Sequence, residues 1–228
     1  MSTRTSLAGG FTVAVLAAAL ILSGYGAAVA LGPKTGSATT VTTTTTATNS
    51  STLSPYVLTL VITTNNMFNA SAGDQPVYYV LGPAGLESAA NINLPANRLI
   101  KLVIVNYDDG NASLAIPSDN VFSGTINGTI FVASNDNVNS SQGPSGIVLA
   151  GGVTQSTVPA SEVAHTFTVP SINLNVPVPL SSTVVAYFTL ASPGTFIWFC
   201  ETECGCGLTG TQCAMSSPGW MTGNLVAS

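Results

Sequence analysis

The stretch Ser192–Cys200, SPGTFIWFC, decides the fold. Its Pro-Gly pair is typical of a turn, and the aromatic and β-branched residues after it favour a strand that ends at Cys200. No sustained 3.6-residue apolar repeat follows residue 33, so strands are expected throughout the rest of the chain. Many short strands separated by turn residues predict an all-β sandwich. The other candidate strands are Tyr56–Thr63, Val77–Leu81, Leu99–Asn106, Gly128–Ala133, Gly146–Ala150, His165–Val169, Thr183–Leu190 and Gly223–Ala227.

The surface of this protein carries few charges. Only 6% of the 228 residues are charged, against about 25% in an ordinary soluble domain. Four basic residues and a net charge of −5 exclude a nucleic-acid partner, whose phosphates require clustered Lys and Arg. Five N-x-S/T sequons favour a glycosylated, extracytoplasmic protein, with accidental tripeptides in polar loops as the alternative. The sequons begin at Asn49, Asn69, Asn111, Asn127 and Asn139.

Residues 1–33 read as a membrane anchor or signal segment. Gly9–Leu31 contains no charge and is long enough to cross about 30 Å of hydrocarbon as a helix. This length favours a retained transmembrane helix over a secretory signal peptide, whose apolar core is shorter. The small residues near Ala30 leave cleavage open. Arg4 in front of the helix directs the remainder of the chain to the extracytoplasmic side of the cell membrane.

Two further regions follow the anchor. Residues 34–54 are Thr-rich and of low complexity, which predicts an extended stalk that buries no core. Residues 55–228 contain every strand candidate and form the predicted head domain. Within the head, residues 107–160 are rich in Gly, Ser and Asn and predict a long insertion with one or two short strands.

The residues able to bind a soft metal are concentrated in the last third of the chain. The single histidine, His165, lies in the strand candidate EVAHTFTVP, and Cys200 ends the strand 35 residues later. Met221, in PGWMTG, precedes the final strand candidate. Imidazole, thiolate and a weak thioether together suit copper and its one-electron chemistry. A C-x-x-x-C step at a strand end, as in Cys200 and Cys204, suits two thiolates on one ion better than a disulfide.

These motifs, with MTGNLV at 221–226, resemble the copper domain of cytochrome oxidase subunit II and, more loosely, sulfocyanin-type blue copper proteins. The resemblance covers 161–228 well and 55–106 only as a strand pattern. It implies a cupredoxin-like Greek-key β-sandwich that receives electrons outside the membrane. Carried over by position, the metal ligands are His165, Cys200, Cys204 and Met221, with the two thiolates bridging a paired-copper (CuA) centre. Thr202 stands where the family has a Glu whose backbone carbonyl reaches copper.

The chain departs from this family at the second histidine. That residue should follow the second cysteine, where the chain reads GCGLTGTQCAMSSPGW and contains no histidine. Either Cys213 or Met215 substitutes for it, or one copper ion binds through His165, Cys200 and Met221 alone. The number of copper ions, one or two, is therefore open.

The cysteines have a second interpretation. An even number of cysteines in an exported protein is typical of disulfides. We expect a disulfide between Cys206 and Cys213 to close the long loop. Oxidation of all four cysteines, with Cys200 paired to Cys204 and no metal bound, is the alternative.

Two functions are therefore compared, and copper storage or delivery by the same residues, without a reversible redox couple, is a third. The first is a membrane-anchored, extracytoplasmic copper protein that transfers electrons. Its partners would be a terminal oxidase subunit, which it would serve as the electron-entry subunit, and a small redox donor protein. The second is a metal-free cupredoxin-fold protein with a structural or adhesive role at the cell surface. No catalytic residues are predicted, since the sequence contains no phosphate-binding loop, no Ser-His-Asp arrangement and no zinc pattern.

Overall fold

The computed structural model describes residues 53–67, 74–110, 113–135, 138–139, 148–149, 151–204 and 213–228. The predicted anchor and almost all of the predicted stalk lie outside these residues, and the three region boundaries stay predictions. Among the residues described, no helix has the length and apolar character needed to cross a bilayer.

The described part of the chain is all-β, as predicted. It contains strands and single turns of 3₁₀-helix, and no α-helix. The strands are β1 Tyr56–Asn65, β2 Asp74–Gly82, β3 Gly85–Ser88, β4 Asn91–Leu94, β5 Leu99–Asn106, β6 Ile130–Ser134, β7 Val138–Asn139, β8 Val148–Leu149, β9 Val153–Gln155, β10 Val163–Val169, β11 Leu174–Pro179, β12 Ser182–Thr189, β13 Gly194–Phe199 and β14 Thr222–Ala227.

Two sheets form the body of this domain. The first has seven strands in the order β3-β2-β1-β5-β12-β6-β9, and the second has five in the order β11-β10-β13-β14-β4. Most neighbours are antiparallel, but β1 runs parallel to β5 and β14 runs parallel to β4. Because β10, β11, β13 and β14 belong to one sheet and β12 to the other, the chain crosses between sheets repeatedly. This arrangement is the predicted sandwich, and its Greek-key connectivity stays a prediction.

Aromatic residues from both sheets fill the core. Tyr78, Phe167 and Trp198 are fully buried. The rings of Phe167 and Trp198 are stacked with centroids 5.4 Å apart, and Tyr78 meets Trp198 edge-on at 5.2 Å. The Trp198 indole N–H donates to the Ala89 carbonyl at 3.1 Å, so its one polar atom is satisfied. This cluster lies beside β10 and β13, which carry the candidate metal ligands.

Sequence reasoning missed several strands, including β11. Its sequence, LNVPVP, contains two prolines, which argue against a central strand because proline cannot donate to the ladder. The strand is accommodated because it lies at the edge of the five-stranded sheet, where Pro177 and Pro179 stand opposite Thr166 and Val163 of β10. The four-residue strands β3 and β4 are too short to give a pattern of their own.

The described residues of the predicted insertion contain four strands, β6 to β9, so the expectation of one or two was wrong. Strand β6 joins the seven-stranded sheet beside β12, and β7 and β8 form a separate pair. Residues 113–123 instead reach the five-stranded sheet, where Leu114 pairs with Thr202 and Ser123 pairs with Asn175. The insertion therefore contacts the segment between Cys200 and Cys204 directly.

Candidate metal centre

Neighbouring strands of the five-stranded sheet bring the predicted histidine and cysteines together. His165 lies on β10, and Cys200 follows the last residue of β13. The two strands are antiparallel, with Thr168 opposite Phe199. The chain therefore leaves β13 alongside the part of β10 that contains His165, and Cys204 comes one short loop later.

The three side chains form a compact group of donor atoms. His165 Nδ1 is 3.0 Å from the Cys204 sulfur, and the sulfurs of Cys200 and Cys204 are 3.5 Å apart. All three donor atoms lie within 4.8 Å of one another. The residues are almost fully buried, with exposed fractions of 2%, 1% and 3% for His165, Cys200 and Cys204.

These distances fit a shared metal ion. Donors about 2.3 Å (sulfur) and about 2.0 Å (nitrogen) from a tetrahedral ion lie about 3.5–3.8 Å from each other. The two sulfurs are already at that spacing, and only the 3.0 Å pair of His165 and Cys204 has to open slightly. Two soft sulfurs with one imidazole favour copper or zinc over a hard cation. The group offers three such donors, fewer than the four of a structural zinc site.

The two thiols differ in acidity. Burial raises the pKa of Cys200, but the hydrogen bond from Cys204 and the charge of the neighbouring His165 outweigh it and hold that pKa well below its ordinary value. The hydrogen bond to Cys200, with burial, raises the pKa of Cys204. Cys200 is therefore the more acidic of the two thiols. A thiolate is the form of cysteine that binds metals.

His165 is bonded through both ring nitrogens. While Nδ1 faces Cys204, Nε2 lies 3.0 Å from a carboxylate oxygen of Asp108. Burial lowers the pKa of His165, but the Asp108 carboxylate and the Cys200 thiolate raise it to about 9. Binding of a cation at Nδ1 must therefore displace a proton, as it must at Cys204. Asp108 was not predicted as a site residue, since the DDG motif at 108–110 is typical of a turn.

A bulge in β10 lies next to His165. Val163 stands opposite Pro179 and His165 opposite Val178, which leaves Ala164 as the extra residue. The fully buried Thr202 hydroxyl donates to the Ala164 carbonyl at 2.9 Å. The same hydroxyl lies 3.0 Å from the Cys200 sulfur and 2.8 Å from the Cys204 sulfur. Thr202 therefore links the bulge to both cysteines. Bulges occur often beside functional sites.

The Thr202 backbone carbonyl, predicted to reach copper, lies in the turn between the two cysteines. That oxygen accepts the Cys204 N–H at 2.8 Å, and this bond contributes to the tight turn between the cysteines. A carbonyl has two lone pairs, so the carry-over from the family stays a prediction.

Met221 lies close to the group along the backbone. The Cys200 N–H donates to the Met221 carbonyl at 2.9 Å, and the Met221 side chain is fully buried in the same apolar cluster as the cysteines. Its backbone N–H is fixed by the Ala214 carbonyl at 3.2 Å. The structure thus places the predicted thioether residue next to Cys200, and ligation by its sulfur stays a prediction.

The other cysteines fall partly outside the described residues. Cys200 and Cys204 are free thiols, so they do not form the disulfide of the metal-free alternative. Cys213 is disulfide-bonded, whereas its predicted partner Cys206 lies outside the described part of the chain. Cys213 is therefore not available to replace the missing histidine. Met215 is half-buried and packs against the core.

Two of the five sequon asparagines, Asn127 and Asn139, lie within the described residues. Asn127 is exposed and has the left-handed backbone of a turn, with φ of 65°. Asn139 lies in β7, and Asn49, Asn69 and Asn111 lie outside the described residues. Glycosylation at these sites stays a prediction.

Comparison with known proteins gives structural neighbours but no sequence relatives. No protein-family model matches the chain, and no curated protein does. Auracyanin B is similar with a TM-score of 0.31 and 12% identity over 77% of this chain and 91% of that one. Reduced rusticyanin is similar with a TM-score of 0.29 and 12% identity over 77% of this chain and 81% of that one. The periplasmic domain of subunit II of cytochrome oxidase (CoxB) of Bradyrhizobium japonicum has a TM-score of 0.29. It is 12% identical over 75% of this chain and 83% of that one. TM-scores this low support no inference about ligands. The inference that a metal binds rests on the donor atoms of the site.

Proposed function

We propose that this chain is a membrane-anchored, extracytoplasmic copper protein that transfers electrons. The observation that carries the proposal is the buried group of His165, Cys200 and Cys204, whose donor atoms lie within 4.8 Å of one another. Copper bound by one imidazole and two sulfurs supplies reversible one-electron chemistry. Zinc would fit the same spacing but has no redox chemistry.

The chain itself supplies ligands and a rigid, dry surround. Cys200 is fixed by two backbone N–H bonds, one that it donates to Met221 and one that its sulfur accepts from Thr166 at 3.3 Å. His165 is held on a paired strand, and the Tyr78 ring meets its imidazole edge-on with centroids 6.4 Å apart. Because the donors are anchored to packed strands, little rearrangement accompanies a change in oxidation state. No described residue has to perform bond chemistry.

The metal-free scaffold is the less favoured function. Such a scaffold would keep two buried cysteine sulfurs, an imidazole and a carboxylate in contact with no ligand to bind. A buried ion pair is weak evidence of a stabilising role, even when it is well paired. The two cysteines are free with their sulfurs 3.5 Å apart, whereas cysteines of an exported protein without a metal are typically paired in disulfides.

The proposed location and partners rest on the sequence alone. The uncharged segment Gly9–Leu31 supports a membrane anchor, and Arg4 supports an extracytoplasmic head domain. The resemblance to oxidase subunit II supports a terminal oxidase subunit as electron acceptor and a small redox protein as donor. Protease treatment of sealed cells or spheroplasts tests the orientation, since only an external head is digested.

Copper binding by the full-length protein in detergent tests the function. The thiols are first reduced under conditions that preserve the Cys213 disulfide, and copper(II) is then titrated. We expect an intense visible sulfur-to-copper absorption band that disappears and returns through cycles of reduction and oxidation. Cys200→Ser removes the band, and His165→Ala binds copper much more weakly. A colourless wild-type protein that binds no copper would support the scaffold function instead.

A further inference from the structure

The inserted segment places a carboxylate on the side of His165 that faces away from the sulfurs. Asp108 Oδ2 lies 3.0 Å from Nε2, and Nδ1 of the same ring lies 3.0 Å from the Cys204 sulfur. The carboxylate side chain is 11% exposed and the imidazole 2% exposed. This contact joins residues 57 positions apart, so the insertion and β10 are connected at the ligand itself.

Asp108 is itself held in a fixed orientation. Its second carboxylate oxygen accepts the Gly110 N–H at 2.8 Å, and its own N–H donates to the side-chain oxygen of Asn106 at 3.0 Å. Its carbonyl accepts the Ser181 N–H at 3.0 Å. Asn106 is fully buried at the end of β5. The carboxylate is therefore positioned by the sandwich before any metal binds.

A neutral imidazole has one N–H and one lone pair. If the N–H points to Asp108, it is on Nε2, and the lone pair is on Nδ1, which faces the sulfurs. We propose that Asp108 is a positioning residue of the copper site, which fixes His165 in the tautomer and orientation that present Nδ1 to the metal. Its negative charge also favours copper(II) over copper(I) and so lowers the reduction potential. This inference rests on the proposed function.

The single histidine of the chain allows a direct test without any variant. Because copper(I) is diamagnetic, long-range ¹H–¹⁵N spectra of the copper(I)-loaded protein can be recorded. These spectra contain the signals of one imidazole ring, since the chain has one histidine. We expect a slowly exchanging proton on Nε2 and none on Nδ1. A ring that carries its proton on Nδ1, or whose Nε2 proton exchanges as fast as that of an exposed histidine, overturns the proposal.

A substitution measures the consequence for copper. Asp108→Asn keeps a side-chain oxygen for the Gly110 N–H but removes the charge. We expect a 10–100-fold loss of copper(II) affinity, the effect typical of removing a partner of a metal-bound histidine, and a higher reduction potential. Asp109→Asn is the matched control, because Asp109 is the exposed neighbour in the same turn. Asp108→Glu, which restores the charge, should recover part of the affinity.

The outcomes separate this inference from the proposed function. If the wild-type protein binds no copper, the proposed function fails and this inference fails with it. If the wild-type protein binds copper and the Asp108 and Asp109 variants match it in affinity and potential, only the role of Asp108 is wrong. A lower melting temperature of Asp108→Asn with unchanged copper properties would show a structural role and contradict the proposal.

Discussion

The hydroxyl of Thr202 provides a sharp test of how the site is built. Thr202→Val keeps the shape of the side chain and removes only the group that donates to the Ala164 carbonyl at 2.9 Å. Ala164 is the extra residue of the β10 bulge and has no partner in the register with β11. Its carbonyl also receives a long contact from the Cys204 sulfur at 3.8 Å, so the Thr202 hydroxyl is the stronger of its two side-chain donors.

The size of the effect follows from burial. A buried acceptor that loses its partner costs about 1–3 kcal/mol, and the methyl group that replaces the hydroxyl returns up to about 0.8 kcal/mol. We therefore expect the free energy of unfolding of the reduced, metal-free protein to fall by about 1–2 kcal/mol. For a domain of this size, that corresponds to a fall in melting temperature of about 2–8 °C.

Thermal unfolding followed by circular dichroism measures this difference. Thr189→Val is the control, because Thr189 is an exposed threonine on β12 and a substitution there should change stability by less than about 0.5 kcal/mol. If the two variants have the same melting temperature, the bond between Thr202 and the bulge does not stabilise the fold, and the account of this loop is wrong.

Three other predictions concern the core and the proposed fourth ligand. In Gly223→Ala the new Cβ would lie 2.7 Å from the Trp198 indole nitrogen; we expect a melting temperature several degrees lower and a changed near-ultraviolet circular dichroism signal. Burial raises the pKa of Tyr78 well above its usual value. Because the unfolded phenol loses its proton above pH ~10 while the folded one does not, the free energy of unfolding should fall with rising pH there, and less steeply in Tyr78→Phe. Met221→Leu should retain copper but shift the absorption band and the reduction potential, whereas Met67→Leu, at an exposed methionine, should leave both unchanged; identical spectra for the two variants would exclude Met221 as a ligand.

Sequence patterns predicted the fold wherever a strand had a continuous apolar run. The stretch Leu99–Asn106 matches β5 residue for residue, since β-branched residues buried on both faces leave a strong signal. Leu174–Pro179 gave no such signal, because its prolines are tolerated only through its place at a sheet edge. The edge position of β11 depends on the order of strands in the folded sheet. The local sequence does not specify that order.

The site was predictable to a similar extent. His165, Cys200 and Cys204 were identified because few side chains bind soft metals and their spacing along the chain is distinctive. Asp108 was missed because its contact with His165 depends on how the chain just after β5, in one sheet, meets β10, in the other. The role of the Thr202 side chain was missed for the same reason, since the bulge that it supports arises from pairing between strands.

X-ray absorption at the copper edge of the loaded protein tests the central claim most directly. We expect a short shell of two sulfur atoms and one imidazole nitrogen around each copper ion bound through His165, Cys200 and Cys204, with the Met221 sulfur as a longer, weaker ligand. We expect one sulfur atom fewer in Cys204→Ser. A copper shell made only of oxygen and nitrogen, unchanged by that substitution, would mean that the buried thiols do not bind the metal and would contradict the electron-transfer function.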